Sequence, residues 1–163
     1  MSIGHDLALA LRSAYLVMHR LADASLTRFG VTADQFVLLT ALAEADALTQ
    51  RELARRVGSD ASTVRAMLAL LEGRGLVSRD PHPSDGRARS VALTARGRRA
   101  HRKMYEGSEA FRAGLFAAVG PGQAVSLLEL LRRVARAMTS SEGRTSGGRR
   151  HQAGEHTDEG DRD

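Results

Sequence analysis

Residues 48–77 read LTQRELARRVGSDASTVRAMLALLEGRGLV, and two helices joined by a tight turn can be read from them directly. Thr49-Gln50-Arg51-Glu52 has the form of a capping box, in which a Thr side chain and a Glu three residues later satisfy each other's orphan backbone donors. It opens a short helix reaching Val57, which Gly58 ends. Ser59 or Asp60 caps the next helix. In that helix, over residues 61–74, Val64, Met67, Leu68 and Leu71 follow the i, i+3, i+4, i+7 spacing of a core-facing stripe. The opposite face carries Ser62, Ala66, Ala69 and Gly73, flanked by Thr63 and Arg65. Side chains this small suit close approach to another surface.

Downstream, Gly73 and Gly75 bracket the helix end. Leu76-Val77 and Val91-Ala92-Leu93 are short β-compatible segments on either side of a polar stretch, Ser78 to Ser90. That stretch contains Asp85-Gly86, a strong hairpin turn signal, so a β-hairpin with a basic tip at Arg87 and Arg89 is expected. Thr94 then caps a long helix whose stripe includes Ala100, Met104, Phe111 and Leu115, broken at Gly120-Pro121-Gly122. A final helix carries Val125, Leu128, Leu131, Val134, Ala135 and Met138. From residue 140 to 163 almost no apolar residue remains, which reads as a disordered tail.

Upstream, Leu7, Leu11, Tyr15, Met18, Ala22 and Leu26 trace one stripe of a helix over residues 6–29, ended by Gly30. Thr32 and Gln35 repeat the capping-box signature, and the helix they open is expected to bury Phe36, Leu39, Leu42 and Ala43.

Two helices through a glycine turn, followed by a hairpin, spell a winged helix-turn-helix, whose second helix enters the major groove of DNA. Charge points the same way. The net charge is +5, but residues 51–103 hold 13 basic against 5 acidic side chains. Residues 140–163, by contrast, hold four Arg against six acids. Clustered basic charge is the electrostatic footprint of a nucleic-acid binder.

The chain has no cysteine, which excludes disulfides, thiol catalysis and cysteine-based redox sensing together. His5, His19, His82, His101, His151 and His156 are scattered, so neither a metal site nor a cofactor is expected. No nucleophile turn or phosphate-binding glycine loop argues for an enzyme. Without a secretory signal or an apolar run long enough to span a membrane, the reading is a cytoplasmic protein with no membrane partner.

Residues 32–97 resemble the MarR family of bacterial transcriptional regulators. The resemblance is carried by Leu48-Thr49-Gln50-Arg51-Glu52-Leu53-Ala54, Asp60-Ala61-Ser62-Thr63-Val64, Leu70-Leu71-Glu72-Gly73-Arg74-Gly75-Leu76-Val77, and Asp85-Gly86-Arg87 through Val91-Ala92-Leu93-Thr94. Their order and spacing make the match specific. The implied fold is mainly α with a small β-hairpin wing. An N-terminal dimerisation helix (1–31) and C-terminal dimerisation helices (95–139) flank a DNA-binding lobe (32–94), with the tail at 140–163.

The resemblance implies a homodimeric repressor on a pseudo-palindromic duplex operator, its reading helices about one DNA turn apart. Arg65 is the candidate base contact, because a guanidinium donates two bonds to guanine. Ser59, Ser62 and Thr63 sit at the helix start, where hydroxyls and free N–H groups bind phosphate or base edges. Ala66 suits a thymine methyl, and Gln50 and Arg51 suit phosphate. In the family's Asp-x-Arg wing motif, matched by Asp85 and Arg87, the arginine enters the minor groove. Arg89 adds a phosphate contact.

Many family members release DNA when a small molecule, often an aromatic or phenolic acid, binds between the dimerisation helices and the reading lobe. Tyr15, Met18, His19, Phe36 and Phe111 are the candidate lining here, with His19 and Arg20 as carboxylate partners. Two readings stay open beside this one: a DNA-binding regulator with no small-molecule ligand, and a winged-helix module for protein contacts.

Overall fold

A computed structural model describes the backbone of residues 2–45, 47–82 and 85–147, and the side chains of these except at 82, 85–88 and 140–147. The chain divides into two compact units, Met1–Gly114 and Leu115–Asp163.

The first unit opens with helix α1 (Ile3–Leu26), a 3-10 turn (Thr27–Phe29) and helix α2 (Ala33–Ala43). The first helix therefore stops at Leu26 rather than running to residue 29, and left-handed Gly30 (φ 63°) ends the 3-10 turn instead. Of the expected stripe only Leu26 is buried and Ala22 packs on the core, while Leu7 and Tyr15 are half exposed. The capping box at Thr32 and Gln35 forms with both bonds at 3.2 Å. Asp23 of α1 adds a further cap by accepting from the Ala33 N–H at 2.6 Å. In α2 the buried residues are Leu38, Leu39, Ala41 and Leu42; Ala43 is exposed, contrary to expectation, and Phe36 is only half-buried. Phe36 turns aside to stack on His101, ring centroids 5.5 Å apart.

Strand β1 (Leu48–Thr49) leads into α3 (Gln50–Val57) and α4 (Ala61–Gly73), then β2 (Val77–His82), β3 (Asp85–Leu93) and α5 (Ala95–Gly107). The three strands form an antiparallel sheet in the order β1-β3-β2. Leu48 pairs with Val91 and Thr49 with Ser90, so β1, which the sequence did not announce, anchors the sheet beside α3. The hairpin is longer than expected. Val77 pairs with Leu93, Arg79 with Val91 and Pro81 with Arg89, and the His82–Asp85 pairing puts Asp85-Gly86 in the strand rather than at the turn. Pro81 is tolerated because β2 is an edge strand, where a missing N–H breaks no inner ladder. Val91 and Leu93 alternate inward to join Leu38, Leu39, Leu42, Leu53, Val64, Leu68, Leu71 and Met104 in one core.

Thr94 caps α5 by accepting from the Gly97 N–H at 2.9 Å. The expected single helix from 95 to 119 is broken at Ser108 into α5 and α6 (Glu109–Val119). The cause is competition for carbonyls. Arg28 donates to the Gly107 carbonyl at 2.9 Å and Arg112 to that of Tyr105 at 2.5 Å, oxygens that a continuous helix uses for its own ladder.

In the second unit, Gly120 (φ 81°) separates the end of α6 from α7 (Pro121–Gly147). Pro121 suits the first helical position, whose N–H has no partner in the helix. The helix continues past Thr139 to Gly147, correcting the boundary of the expected tail; the rest of that tail, 148–163, lies outside the described residues. Val125, Leu128, Leu131, Val134 and Met138 are all exposed on α7. No single helix among the described residues is long and apolar enough to cross a membrane.

Candidate nucleic-acid interface

Helices α3 and α4 are set against each other by local chemistry. The Thr49–Glu52 capping box forms, with backbone-to-side-chain bonds of 2.8 and 3.2 Å. Gly58 adopts φ 67°, a left-handed turn that costs a residue without a Cβ little. Gln50 Nε2 donates to the Ala61 carbonyl at 3.2 Å, tying the start of α3 to the start of α4. Leu53 and Ala54 of α3 and Val64, Leu68 and Leu71 of α4 are buried.

Asp60, not Ser59, is the N-cap of α4. Its carboxylate accepts the N–H groups of Ser62 and Thr63, both at 2.9 Å, and their hydroxyls at 2.5 and 2.6 Å. Those hydroxyl donors, with the N–H groups, hold the Asp60 carboxyl well below the usual carboxylate range. The N–H groups of Ser62 and Thr63, expected to be free for phosphate, are therefore already bound by the protein's own carboxylate.

Ser62, Thr63, Arg65, Ala66, Ala69 and Gly73 are all exposed on the outer face of α4, as is Arg51 at the start of α3. Gln50 and Ser59 are partly buried. On the wing, Arg89 is exposed opposite Pro81, whereas the side chains of Asp85 and Arg87 lie outside the described residues.

Three fasteners of the reading helix carried no signal of their own in the sequence. Arg79 of β2 pairs with Glu72 at 3.1 Å, linking the wing base to the end of α4. Arg56 pairs with Glu44 at 2.7 Å, linking α3 to the end of α2. Arg74 donates to the carbonyls of Gly30 and Phe29.

The five candidate ligand residues do not converge. Tyr15 lies 5.4 Å from His19, ring to ring, and lines a cavity of about 470 Å³ with Asp34, Val37, Ser59, Thr63 and Met67. His19 is bracketed by Asp23 and Asp34, each at 3.3 Å, so its ring faces two carboxylates rather than an open anion site. Phe36 stands against His101 of α5 instead. Met18 is on the exposed side of α1, and Phe111 is partly buried on α6.

Comparison with known proteins agrees with this architecture. Residues 31–88 match the MarR family. The uncharacterized HTH-type transcriptional regulator YdgJ of Bacillus subtilis is 32% identical over 105 residues, 64% of this chain and 64% of that protein. The chain spans about half to just under two thirds of the length of the curated relatives it matches. Among solved structures, the transcriptional repressor CouR bound to a 23-mer DNA duplex is similar with a TM-score of 0.73 and 29% identity, covering 79% of this chain and 92% of that one. BpsR of Bordetella bronchiseptica, whose DNA binding is regulated by 6-hydroxynicotinic acid, gives a TM-score of 0.72 and 28% identity, with 82% and 93% covered. These relatives are regulators, not enzymes. The helix-turn-helix, the three-stranded wing sheet and the match over residues 31–88 together place this chain in the MarR family of winged helix-turn-helix transcriptional regulators.

Proposed function

We propose that the protein is a homodimeric, cytoplasmic repressor that reads a pseudo-palindromic duplex operator through α4 and the wing, and that a small aromatic or phenolic acid releases it. The observation that carries this reading is the outer face of α4. Its small exposed residues flank a single long cation, Arg65, on a helix fixed at both ends. Such a face admits the floor of a major groove, and Arg65 has the geometry to pair with guanine O6 and N7.

The Asp60 cap refines the roles of Ser62 and Thr63. Their hydroxyl protons are committed to Asp60, so their oxygens present lone pairs. Lone pairs suit the exocyclic amino groups of adenine or cytosine better than phosphate, which the Asp60 charge repels. Gln50, Arg51, Ser59 and Arg89 then serve the sugar-phosphate backbone, Ala66 a thymine methyl, and Asp85 and Arg87 the wing's minor-groove contact.

Exposed apolar side chains on α1 (Ile3, Leu7, Leu16) and on α7 (Val125, Leu131, Met138) support dimerisation, since a soluble chain rarely leaves so much apolar surface in water. The DNA-bound repressor CouR and the ligand-regulated BpsR support the operator and the inducer.

The test is a salt-titrated binding assay with the duplex upstream of the protein's own gene against a scrambled duplex. Sequence preference together with a steep fall in affinity as salt rises supports the reading. Equal binding to both duplexes refutes it. A stable monomer in sedimentation refutes the dimer.

A further inference from the structure

Beside the Tyr15–His19 cavity, the opposite face of α2 carries a second one of about 410 Å³, between α2, β3 and α5. Its apolar floor is Leu42 and Leu93, and its rim is Arg98, His101, Arg102 and Tyr105. We propose that this cleft is the protein's anion site and takes a small aromatic carboxylate, its ring against His101 and Tyr105 and its charge on Arg98 and Arg102. The inference rests on the reading of a ligand-released regulator and names the site and charge class of that ligand.

Charge separates the two cavities. In the first, Asp34 and Asp23 flank the only cationic candidate, His19, so an incoming carboxylate meets like charge. In the second, two guanidiniums stand one helical turn apart on α5. Arg98 is already oriented, its Nη1 donating to the Leu93 carbonyl at 2.7 Å. The nearby acid, Glu44, is engaged by Arg56 at 2.7 Å and is thereby partly neutralised.

Ring geometry fits as well. His101 stacks on Phe36 with planes 20° apart, and Tyr105 lies 6.1 Å from His101, so an aromatic wall is already built. His101 Nε2 lies 3.1 Å from Thr40 Oγ1, which fixes the imidazole. The volume falls in the range of small-ligand sites, which are apolar with a few placed polar groups. A ligand here touches β3, the strand that carries Arg89 of the wing, and so sits against the DNA-reading lobe itself.

Calorimetric titration of the full-length protein with benzoate, 4-hydroxybenzoate and the neutral benzamide tests the site. Either carboxylate should bind at least about tenfold more tightly than benzamide. Arg102→Glu should abolish that preference, and Arg98→Gln should weaken it. Tyr15→Phe should leave it intact. Arg102 is exposed, so its variant should fold as the parent does, which thermal melting verifies. Carboxylate binding that survives Arg102→Glu overturns the proposal, as does binding lost in Tyr15→Phe, or no binding of either carboxylate at millimolar concentration. Operator binding by the unliganded protein is measured in parallel. If it is intact while carboxylates fail to bind, the anion site falls and the regulator stands; if it is absent, the regulator reading itself falls.

Discussion

Arg74 Nη1 donates to the Gly30 carbonyl at 2.5 Å, joining the end of the reading helix to the turn between α1 and α2 across 44 residues of sequence. Nη2 of the same guanidinium reaches the Phe29 carbonyl at 3.0 Å. The neighbouring Arg28 passes the connection on to the Gly107 carbonyl at the end of α5. The connector between α1 and α2 is thus held from both sides, and α4 keeps a fixed attitude toward the helices beneath it.

Arg74→Ala removes both bonds. It should lower stability by about 1 kcal/mol, the net value of an exposed side-chain hydrogen bond or two, and weaken operator binding more than non-specific binding. Arg74→Lys should recover part of both losses. Denaturant melts and paired binding assays check this; equal loss on both duplexes would show that Arg74 does not orient α4.

Gly97 sits where α5 crosses the base of the wing. A Cβ there would lie 1.9 Å from the Leu76 carbonyl oxygen, a backbone atom that cannot swing aside. Gly97→Ala should therefore cost at least about 1–3 kcal/mol, as overpacked sites do. Gly73→Ala, with nothing within 4 Å of the new Cβ, should be neutral or stabilising by up to about 1 kcal/mol. Thermal melting of the two variants compares them directly.

Burial holds His101 below its ordinary value of 6.5, with the Glu44 charge opposing that shift. The folded state thus favours neutral His101, and the unfolded chain binds the proton more readily. The stabilisation is complete above the unfolded value and is lost as pH falls below about 6.5. Denaturation midpoints should drop on acidification through this range in the wild type and drop less in His101→Gln.

Asp60 titrates in the same direction at lower pH. Its carboxyl lies far below the usual range because it accepts the hydroxyls of Ser62 and Thr63, so its contribution is present above about pH 4 and fades in strong acid. Asp60→Ala should weaken specific operator binding by about tenfold through a frayed helix start, and Asp60→Asn, which keeps an acceptor, by less. Binding titrations with both variants decide the matter.

What was legible in the sequence was local. The caps at Thr32, Thr49 and Thr94 and the left-handed glycines at 30 and 58 are set by residues within a few positions of one another. The outward face of α4 followed from helical period alone. The misses were long-range. The Asp85-Gly86 turn signal gave way to a register in which Ser90 pairs with both Thr49 and Asp80. The break at Ser108 depends on Arg28, far upstream, and nothing in the helical pattern of 95–119 reveals it. Asp34 and Phe36 lie two positions apart on α2, roughly 200° around the axis, so they face different cavities. A list of candidates by element could not separate those faces; the structure does.

The most direct test of α4 as the reading helix is the ratio of specific to non-specific DNA affinity in Arg65→Ala. That ratio should collapse by about 1–3 kcal/mol, the value of one bidentate base contact, while affinity for scrambled duplex and its salt dependence change little. A parallel loss on both duplexes, or no loss on either, would contradict the assignment of base reading to α4.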